Sequence, residues 1–182
     1  MKILFVINNL ESGGVPSSLS CLYGQIKDKY DISVFVMSKE GHKKHSFINV
    51  VLPEIFFLRL YSTKFKSLSK REWGYGVMMK TAKRFCNLLH FDIESFVYKK
   101  AVNILEQKYN YDVVISFQDK ITAKFCQFYN HTRIIAWIHC DYPRLIGQPS
   151  DIDFLKYYND IVCVSDYTAS QLKKYYMPLA NR

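Results

Sequence analysis

The sequence of 182 residues contains no apolar run near the roughly 20 residues that are needed to cross a bilayer. Its first apolar run, Ile3 to Ile7, is also too short for the hydrophobic region of a secretory signal. No CxxC pair is present, which favours free thiols in a reducing compartment over disulfides or zinc. These absences predict a cytoplasmic protein. Its five cysteines are widely scattered: Cys21, Cys86, Cys126, Cys140 and Cys163.

The short motifs of several common enzyme classes are also missing. There is no GxGxxG dinucleotide fingerprint, no GxxxxGK[ST] phosphate loop, and no Ser or Cys in a nucleophile-elbow context. His42 and His45 lie in a lysine-rich stretch without a nearby carboxylate pair, so they do not indicate a metal site. We therefore expect neither a metal nor a cofactor.

The composition is that of one folded domain with a basic surface. Hydrophobic residues make up 49% of the chain and aromatic residues 16%, which excludes disorder and predicts an aromatic-rich core. A chain of this length fits a single domain, which we assign to residues 1–182. The formal net charge of +9 implies an anionic partner: phosphorylated ligands, an acidic membrane surface or nucleic acid.

Hydrophobic patterning predicts strands that alternate with helices. Lys2 to Ile7 is a continuous apolar run, typical of a strand buried on both faces, and Pro16 to Lys29 has the spacing of an amphipathic helix. Asp31 to Met37 then completes a βαβ unit. The remaining predicted elements are a strand between Phe47 and Leu60 interrupted by Pro53, a basic connection Tyr61–Arg71, two helices, strand Tyr111–Phe117, helix Lys120–Tyr129, strand Arg133–His139, helix Asp151–Tyr158, strand Asp160–Ser165 and helix Tyr167–Tyr176.

This alternation predicts an α/β fold: a Rossmann-like, doubly wound, mainly parallel sheet with helices on both faces. The two middle helices are amphipathic in the sequence. The second begins near Asp92, and five of its residues are expected to face the interior: Ile93, Val97, Ala101, Ile104 and Leu105. The first places on one side Val77, Thr81, Phe85, Leu88 and Leu89, and on the opposite side Lys80, Lys83, Arg84 and Asn87.

Ligands of open α/β sheets bind beyond the carboxyl ends of the strands, so each strand end is a candidate site. The candidates are the loop Asn8–Gly14, Ser38, Gln118–Asp119, the loop His139–Tyr142 and Ser165–Asp166. Gly13 and Gly14 precede a helix N-terminus, which favours a phosphate or another anion, although two glycines can also simply turn the chain.

His139 is the other candidate with chemistry of its own. A histidine at a strand end can serve as general base, proton donor or hydrogen-bond partner of a hydroxyl, and Asp141 lies two positions further on. The alternative is a structural histidine whose hydrogen bonds are satisfied within the fold.

A basic stretch with interleaved aromatic residues runs from Tyr61 to Arg84. It holds seven Lys or Arg against one acid. This composition fits an anionic bilayer, a phosphate backbone or a solvated helix face. No nucleic-acid-binding motif accompanies it, so we expect no nucleic-acid partner. The residues assigned to the membrane-facing surface are Lys64, Lys66, Lys70, Arg71, Trp73, Lys80, Lys83 and Arg84.

Three segments of the sequence resemble glycosyltransferase family 4. The opening KILFVINNLESGGVPSSL is similar to the family's first strand, glycine-glycine loop and helix. RIIAWIHCDYP is similar to its late strand that ends in a histidine-containing loop, and DIVCVSDYTASQLKKYY to the strand and helix that close its N-terminal domain. The resemblance extends from Met1 to about Tyr176.

The resemblance implies a GT-B enzyme, in which two Rossmann-like domains face each other across a cleft. Such enzymes move a sugar from a nucleotide-sugar donor to a hydroxyl acceptor, usually with retention of configuration and without an obligatory metal. Gly13 and Gly14 would lie against the donor phosphates and the acceptor, and His139 near the transferred sugar. Ser165 would line the cleft, and Asp141 is assigned to substrate binding. The basic aromatic region would reach a membrane that carries a lipid-linked acceptor.

The family's nucleotide-binding domain follows the N-terminal one, whereas this sequence ends at Arg182. The expectation is therefore an acceptor-side domain that does not transfer sugar by itself, from an enzyme of bacterial surface-polysaccharide or glycolipid synthesis. The alternative is a non-enzymatic peripheral membrane or scaffold module that uses the basic stretch.

Overall fold

One sheet of six parallel strands forms the centre of the molecule. The computed structural model describes residues 1–10, 13–37, 50–51, 70–88, 92–118, 120–140 and 149–175. Within these residues the strands are β1 (Lys2–Ile7), β2 (Asp31–Val36), β3 (Val50–Val51), β4 (Val113–Ser116), β5 (Arg133–Ile138) and β6 (Asp160–Cys163). Their order across the sheet is β3-β2-β1-β4-β5-β6, and every adjacent pair is parallel.

The position of β1 explains its continuous apolar sequence. It pairs with β2 on one side and with β4 on the other, so that Ile3 lies between Ile32 and Val113. Alternate side chains of β1 enter two separate hydrophobic clusters, Phe5 on one face of the sheet and Leu4 on the other. The strand is therefore buried on both faces, as the sequence predicts.

Helices cover both faces of the sheet, which confirms the predicted fold class. On one face α1 (Gly14–Ile26) packs Leu19 into the cluster that contains Phe5. The opposite face is covered by α3 (Ile93–Lys108), α4 (Ile121–Cys126), a 3-10 helix (Pro149–Tyr157) and α5 (Asp166–Tyr175). A further helix, α2 (Lys70–Leu88), precedes α3 in the chain.

Helix α3 is the main support of the second face. Asp92 caps it, accepting hydrogen bonds from the backbone N–H groups of Glu94 and Ser95, both at 3.1 Å. The helix then buries Tyr98, Ala101, Val102 and Leu105 against the sheet. Ile104 was predicted to face inward as well, but this prediction is wrong, since its side chain is 38% exposed. At about 100° per residue, position 104 falls outside the arc of the four buried residues.

Several predicted boundaries differ from the observed ones. α1 begins at Gly14, so that Pro16 is its third residue, where a missing N–H costs nothing because the first turn has no acceptor for it. α2 already begins at Lys70, inside the predicted connection, and the helix predicted over 151–158 is a 3-10 helix. The third strand is described only at Val50–Val51; the rest of its predicted range lies outside the described residues.

Candidate functional site

The strand order reverses between β1 and β4, and the helices after these two strands lie on opposite faces of the sheet. A crevice beyond the carboxyl ends of the strands forms at such a crossing point. Because all strands are parallel, the residues that follow them share one edge of the sheet. Asn8 follows β1, Gln118 follows β4 and His139 follows β5. We call this edge the carboxyl rim.

A side chain links the two central strands at the carboxyl rim. The carboxamide oxygen of Gln118 accepts a hydrogen bond of 2.9 Å from the backbone N–H of Asn8. The side-chain oxygen Oδ1 of Asn8 is buried and has no hydrogen-bond partner within the part of the chain that the structure describes. An unpaired buried acceptor costs about 1–3 kcal/mol, which a polar ligand at the rim would offset.

The glycine loop reaches the rim from β1. Gly13 caps α1 with φ of 172°, an extended backbone that any residue adopts, and a Cβ on Gly14 would meet nothing within 4 Å. Neither glycine is therefore demanded by the local backbone or by crowding. Among the described residues, the first turn of α1 has no side-chain cap and no acidic residue. The N–H groups and the dipole of a helix N-terminus favour an anion.

Aromatic rings hold His139 at the same rim. Its ring meets the ring of Phe117 edge-on, with centroids 4.7 Å apart, and lies nearly parallel to that of Trp137 at 6.4 Å. Phe117 is fully buried and also contacts Phe5 of β1 at 5.5 Å. Ring contacts thus extend from Phe5 of β1 through Phe117, which follows β4, to the half-buried imidazole that follows β5.

Ser165 has a structural partner at the end of β6. Its hydroxyl accepts a hydrogen bond of 3.1 Å from the backbone N–H of Thr168 and lies 3.0 Å from the Thr168 hydroxyl, so it caps α5. It also borders an open cleft of about 470 Å³ together with Cys163, Asp166 and Lys173. The predicted role in substrate binding stays a prediction. Of the other predicted positions, Ser38, Asp119 and Asp141 lie outside the described residues.

Sequence reasoning missed the residues that support Gln118. Ser116 and Thr122 are both buried, and their hydroxyls lie 2.8 Å apart beneath the loop that follows β4. One indication of this buried hydroxyl pair is present in the sequence, namely that Ser116 interrupts the apolar run of β4.

The predicted membrane-facing residues centre on α2. Lys70, Arg71 and Trp73 lie in this helix, whereas Lys64 and Lys66 lie outside the described residues. Lys83 pairs with Glu94 at 3.7 Å. The ammonium group of Lys83 therefore lies beside α3.

An apolar stripe on α2 is exposed. Its members are Val77, Met78, Phe85 and Leu88, with Phe85 63% and Leu88 78% exposed. Lys80 and Arg84 are exposed too, and at 100° per residue they border this stripe, so their predicted placement on the opposite side is wrong. Among the described residues, no helix is both long and apolar enough to span a membrane.

No protein-family model and no curated protein sequence matches the chain. Solved structures of alpha-glucosyltransferases share low similarity with it. An alpha-glucosyltransferase in complex with UDP has 14% identity and a TM-score of 0.46 over 96% of this chain and 38% of that one. A complex with UDP-glucose and DNA containing an abasic site has 14% identity and a TM-score of 0.44 over 97% and 39%. A complex with UDP and a 13-mer DNA containing a central A:G mismatch has 13% identity and a TM-score of 0.44, over 91% of this chain and 37% of that one.

The chain thus spans 37 to 39% of the length of these solved structures.

Proposed function

We propose that this chain is the acceptor-binding half of a glycosyltransferase of family 4 with GT-B architecture. One observation carries the proposal: the glycine loop and His139 lie at the same carboxyl rim, beside the crossing point of a doubly wound sheet. The bond between Asn8 and Gln118 and the contact between Phe117 and His139 join these strand ends. The resemblance of three sequence segments to the family supplies the reaction class.

In this proposal the rim provides a cradle for the transfer reaction. The N-terminus of α1 at Gly13 and Gly14 stabilises phosphate charge that develops as the nucleoside diphosphate departs. His139 donates to or accepts from a hydroxyl of the transferred sugar. The donor is a nucleotide sugar, the acceptor is a hydroxyl compound, and transfer retains the anomeric configuration without a metal.

The nucleotide is held from the other side by a second Rossmann domain. The +9 charge of this chain favours an anionic donor and an acceptor on an anionic lipid. Synthesis of a bacterial surface polysaccharide or glycolipid is the process that fits such substrates.

Two histidines that flank β5 give a matched test. His131 precedes the strand and is exposed at the opposite edge of the sheet, whereas His139 follows it at the rim. In a version of the protein that carries a nucleotide-binding domain, His139→Ala is expected to lower kcat roughly 10²- to 10⁴-fold. His131→Ala is expected to leave kcat unchanged. Transfer is measured as nucleoside diphosphate released from a panel of nucleotide sugars.

Two results would contradict the proposal. The version with both domains could bind no nucleotide sugar by calorimetry, or both histidine variants could lose activity equally. In the second case the loss would follow from folding and not from the rim.

A second candidate function rests on α2. We propose that its exposed stripe docks on an anionic membrane surface, which places the chain in the cytoplasm on the inner face of the cell membrane. The stripe supplies apolar area from Phe85 and Leu88, and the bordering Lys80 and Arg84 supply charge complementarity. Apolar residues with adjacent bases bind the lipid interface, and each base near an anionic surface adds about 1 kcal/mol. Docking alone would also suit a scaffold module without activity.

Vesicle sedimentation tests the docking surface. With vesicles of phosphatidylglycerol and phosphatidylcholine, Lys80→Gln with Arg84→Gln is expected to weaken binding roughly thirtyfold, because two bases at about 1 kcal/mol each are lost. Phe85→Ser with Leu88→Ser is expected to weaken binding further and to reduce the fraction of binding that persists at high salt. Tyr167→Ser, at an exposed aromatic residue of α5, is the control and should bind like the unaltered chain. Equal, salt-insensitive binding to neutral and anionic vesicles would contradict docking by charge.

A further inference from the structure

Buried hydroxyl groups fix the loop that follows β4. Ser116 donates to the backbone carbonyl of Gln118 at 3.2 Å, and Thr122 donates to the same carbonyl. Both hydroxyl side chains are buried, and each stands within hydrogen-bond distance of the other. Two side chains, one before and one after Gln118 in the chain, thus contact the same carbonyl group.

The side chain of Gln118 continues the pairing of β1 with β4 beyond its last main-chain bond. That main-chain bond runs from the N–H of Phe117 to the carbonyl of Val6 at 2.9 Å. Two residues after Val6, just beyond the end of β1, the N–H of Asn8 donates to the Gln118 carboxamide oxygen. This bond ties the start of the glycine loop to the end of β4.

The turn into α4 is strained beside this bond. Lys120 has φ of 57°, the only positive value for a non-glycine residue in the described part of the chain. Strained backbone persists where the surroundings over-determine it, and such positions cluster at functional sites. Thr122, two residues after Lys120, is one of the two side chains that donate to the Gln118 carbonyl.

We propose that Gln118 is a positioning residue of the carboxyl rim. Through Asn8 it sets where the glycine loop begins, and its neighbour Phe117 contacts the ring of His139 at 4.7 Å. Gln118 therefore sets the spacing between the loop and the imidazole, and its role in transfer rests on the proposed function. It touches neither substrate nor reacting atoms in this role.

The test uses the full chain and two substitutions that differ in one property. Gln118→Met keeps the length of the side chain and removes the acceptor oxygen; Gln118→Glu keeps an acceptor. In Gln118→Met the amide of Asn8 is expected to exchange with solvent at least roughly fivefold faster, because it loses its one hydrogen bond to the Gln118 side chain. In Gln118→Glu the protection should persist. Amide exchange by NMR measures this, with thermal unfolding showing that both variants fold.

The positioning role has a separate readout in the version with both domains. There Gln118→Met is expected to lower kcat roughly tenfold to a hundredfold, since displacement of a site by about 1 Å has effects of that size. The donor KM should change little, and Gln118→Glu should restore most of kcat.

The outcomes separate the inference from the proposed function. Unchanged Asn8 exchange in Gln118→Met would overturn the link itself, whatever the enzyme does. Faster exchange with unaltered kcat would show a purely structural glutamine and overturn the positioning role. A two-domain protein that transfers no sugar would sink the proposed function and the role in transfer, while the exchange data would still decide whether Gln118 holds the loop.

Discussion

Helices α2 and α3 follow each other in the chain, and both have an amphipathic sequence with aromatic residues and lysines. Their environments differ sharply. α3 is capped by Asp92 and buries four residues against the sheet. α2 leaves Val77, Phe85 and Leu88 exposed and is connected to α3 by the ion pair of Lys83 with Glu94.

An amphipathic pattern therefore specifies only part of a helix's environment. Periodicity reports that one side of a helix is apolar, and it does not report what covers that side. In α3 the sheet covers it; in α2 no described residue does so for Phe85 and Leu88. A similar pattern therefore contributes to the core in α3 and leaves apolar side chains exposed in α2.

Leucine truncation gives the largest expected contrast between the two helices. Leu105→Ala in α3, at a side chain 6% exposed, is expected to lower the free energy of unfolding by about 2–4 kcal/mol through lost burial and a cavity. Leu88→Ala in α2 is expected to change it by less than about 0.5 kcal/mol. Urea unfolding followed by circular dichroism measures both. A large loss for Leu88→Ala would mean that the α2 stripe is a core surface after all.

Thiol reactivity sharpens the same comparison at Cys126 of α4 and Cys86 of α2. Burial raises the pKa of the Cys126 thiol far above its usual range, although a hydrogen bond with Tyr158 opposes the shift, whereas Cys86 is partly exposed. Cys126 is expected to react with iodoacetamide at least about a hundredfold more slowly than Cys86. The buried Cys126 thiol stays protonated, and the reagent cannot reach it in the folded protein.

Site-resolved mass spectrometry under native conditions provides the measurement, and the exposed Cys21 serves as the fast control. Similar rates at Cys86 and Cys126 would show that the second face of the sheet opens as readily as α2.

Substitution of Asp92, the cap of α3, is expected to have the smallest effect of these changes. A hydrogen bond from the Ser95 hydroxyl at 2.6 Å holds the pKa of Asp92 below its ordinary value, assisted by the N–H groups of Ser95 and Glu94 and opposed by partial burial. Asp92→Ala is expected to cost about 1 kcal/mol of unfolding free energy at pH 7, and Asp92→Asn, which also caps well, a few tenths.

The pH dependence has a definite sign. Because folding lowers the pKa of Asp92, its charged form stabilises the protein above the unfolded-state pKa, and this contribution is lost as pH falls through the lower native-state pKa. The difference between the unaltered chain and Asp92→Asn should therefore shrink in acid. A constant difference from pH 7 to pH 2, in urea unfolding, would mean that the charge of Asp92 contributes nothing.

Much of the fold was predictable because strands and helices leave different periods in the sequence. β1 was predicted with its observed bounds, since a strand between two others must be apolar throughout. Boundaries were less predictable where tertiary contacts compete with local preference. Ile104 is exposed because the sheet contacts only the arc of α3 that contains Tyr98, Ala101, Val102 and Leu105, and the apolar pattern does not show how wide that arc is.

The candidate site was predictable in part for the same reason. His139 and Ser165 could be placed at one edge because parallel strands all end there. The bond from Asn8 to Gln118 could not be predicted, since 110 residues separate its partners and the strand order alone brings them together. The capping bond of Ser165 to Thr168 was local and could have been recognised from the serine before a helix.

The sequence by itself determined the alternation of strands and helices, the apolar centre of the sheet and the set of residues at the strand ends, because these depend on periodicity and on neighbours in the chain. The contacts between strand ends, the exposed side of α2 and the partner of the Asn8 amide appear only once the chain is folded. Those features depend on contacts between residues far apart in sequence, whose free energies are realised only when the strands assemble in one order.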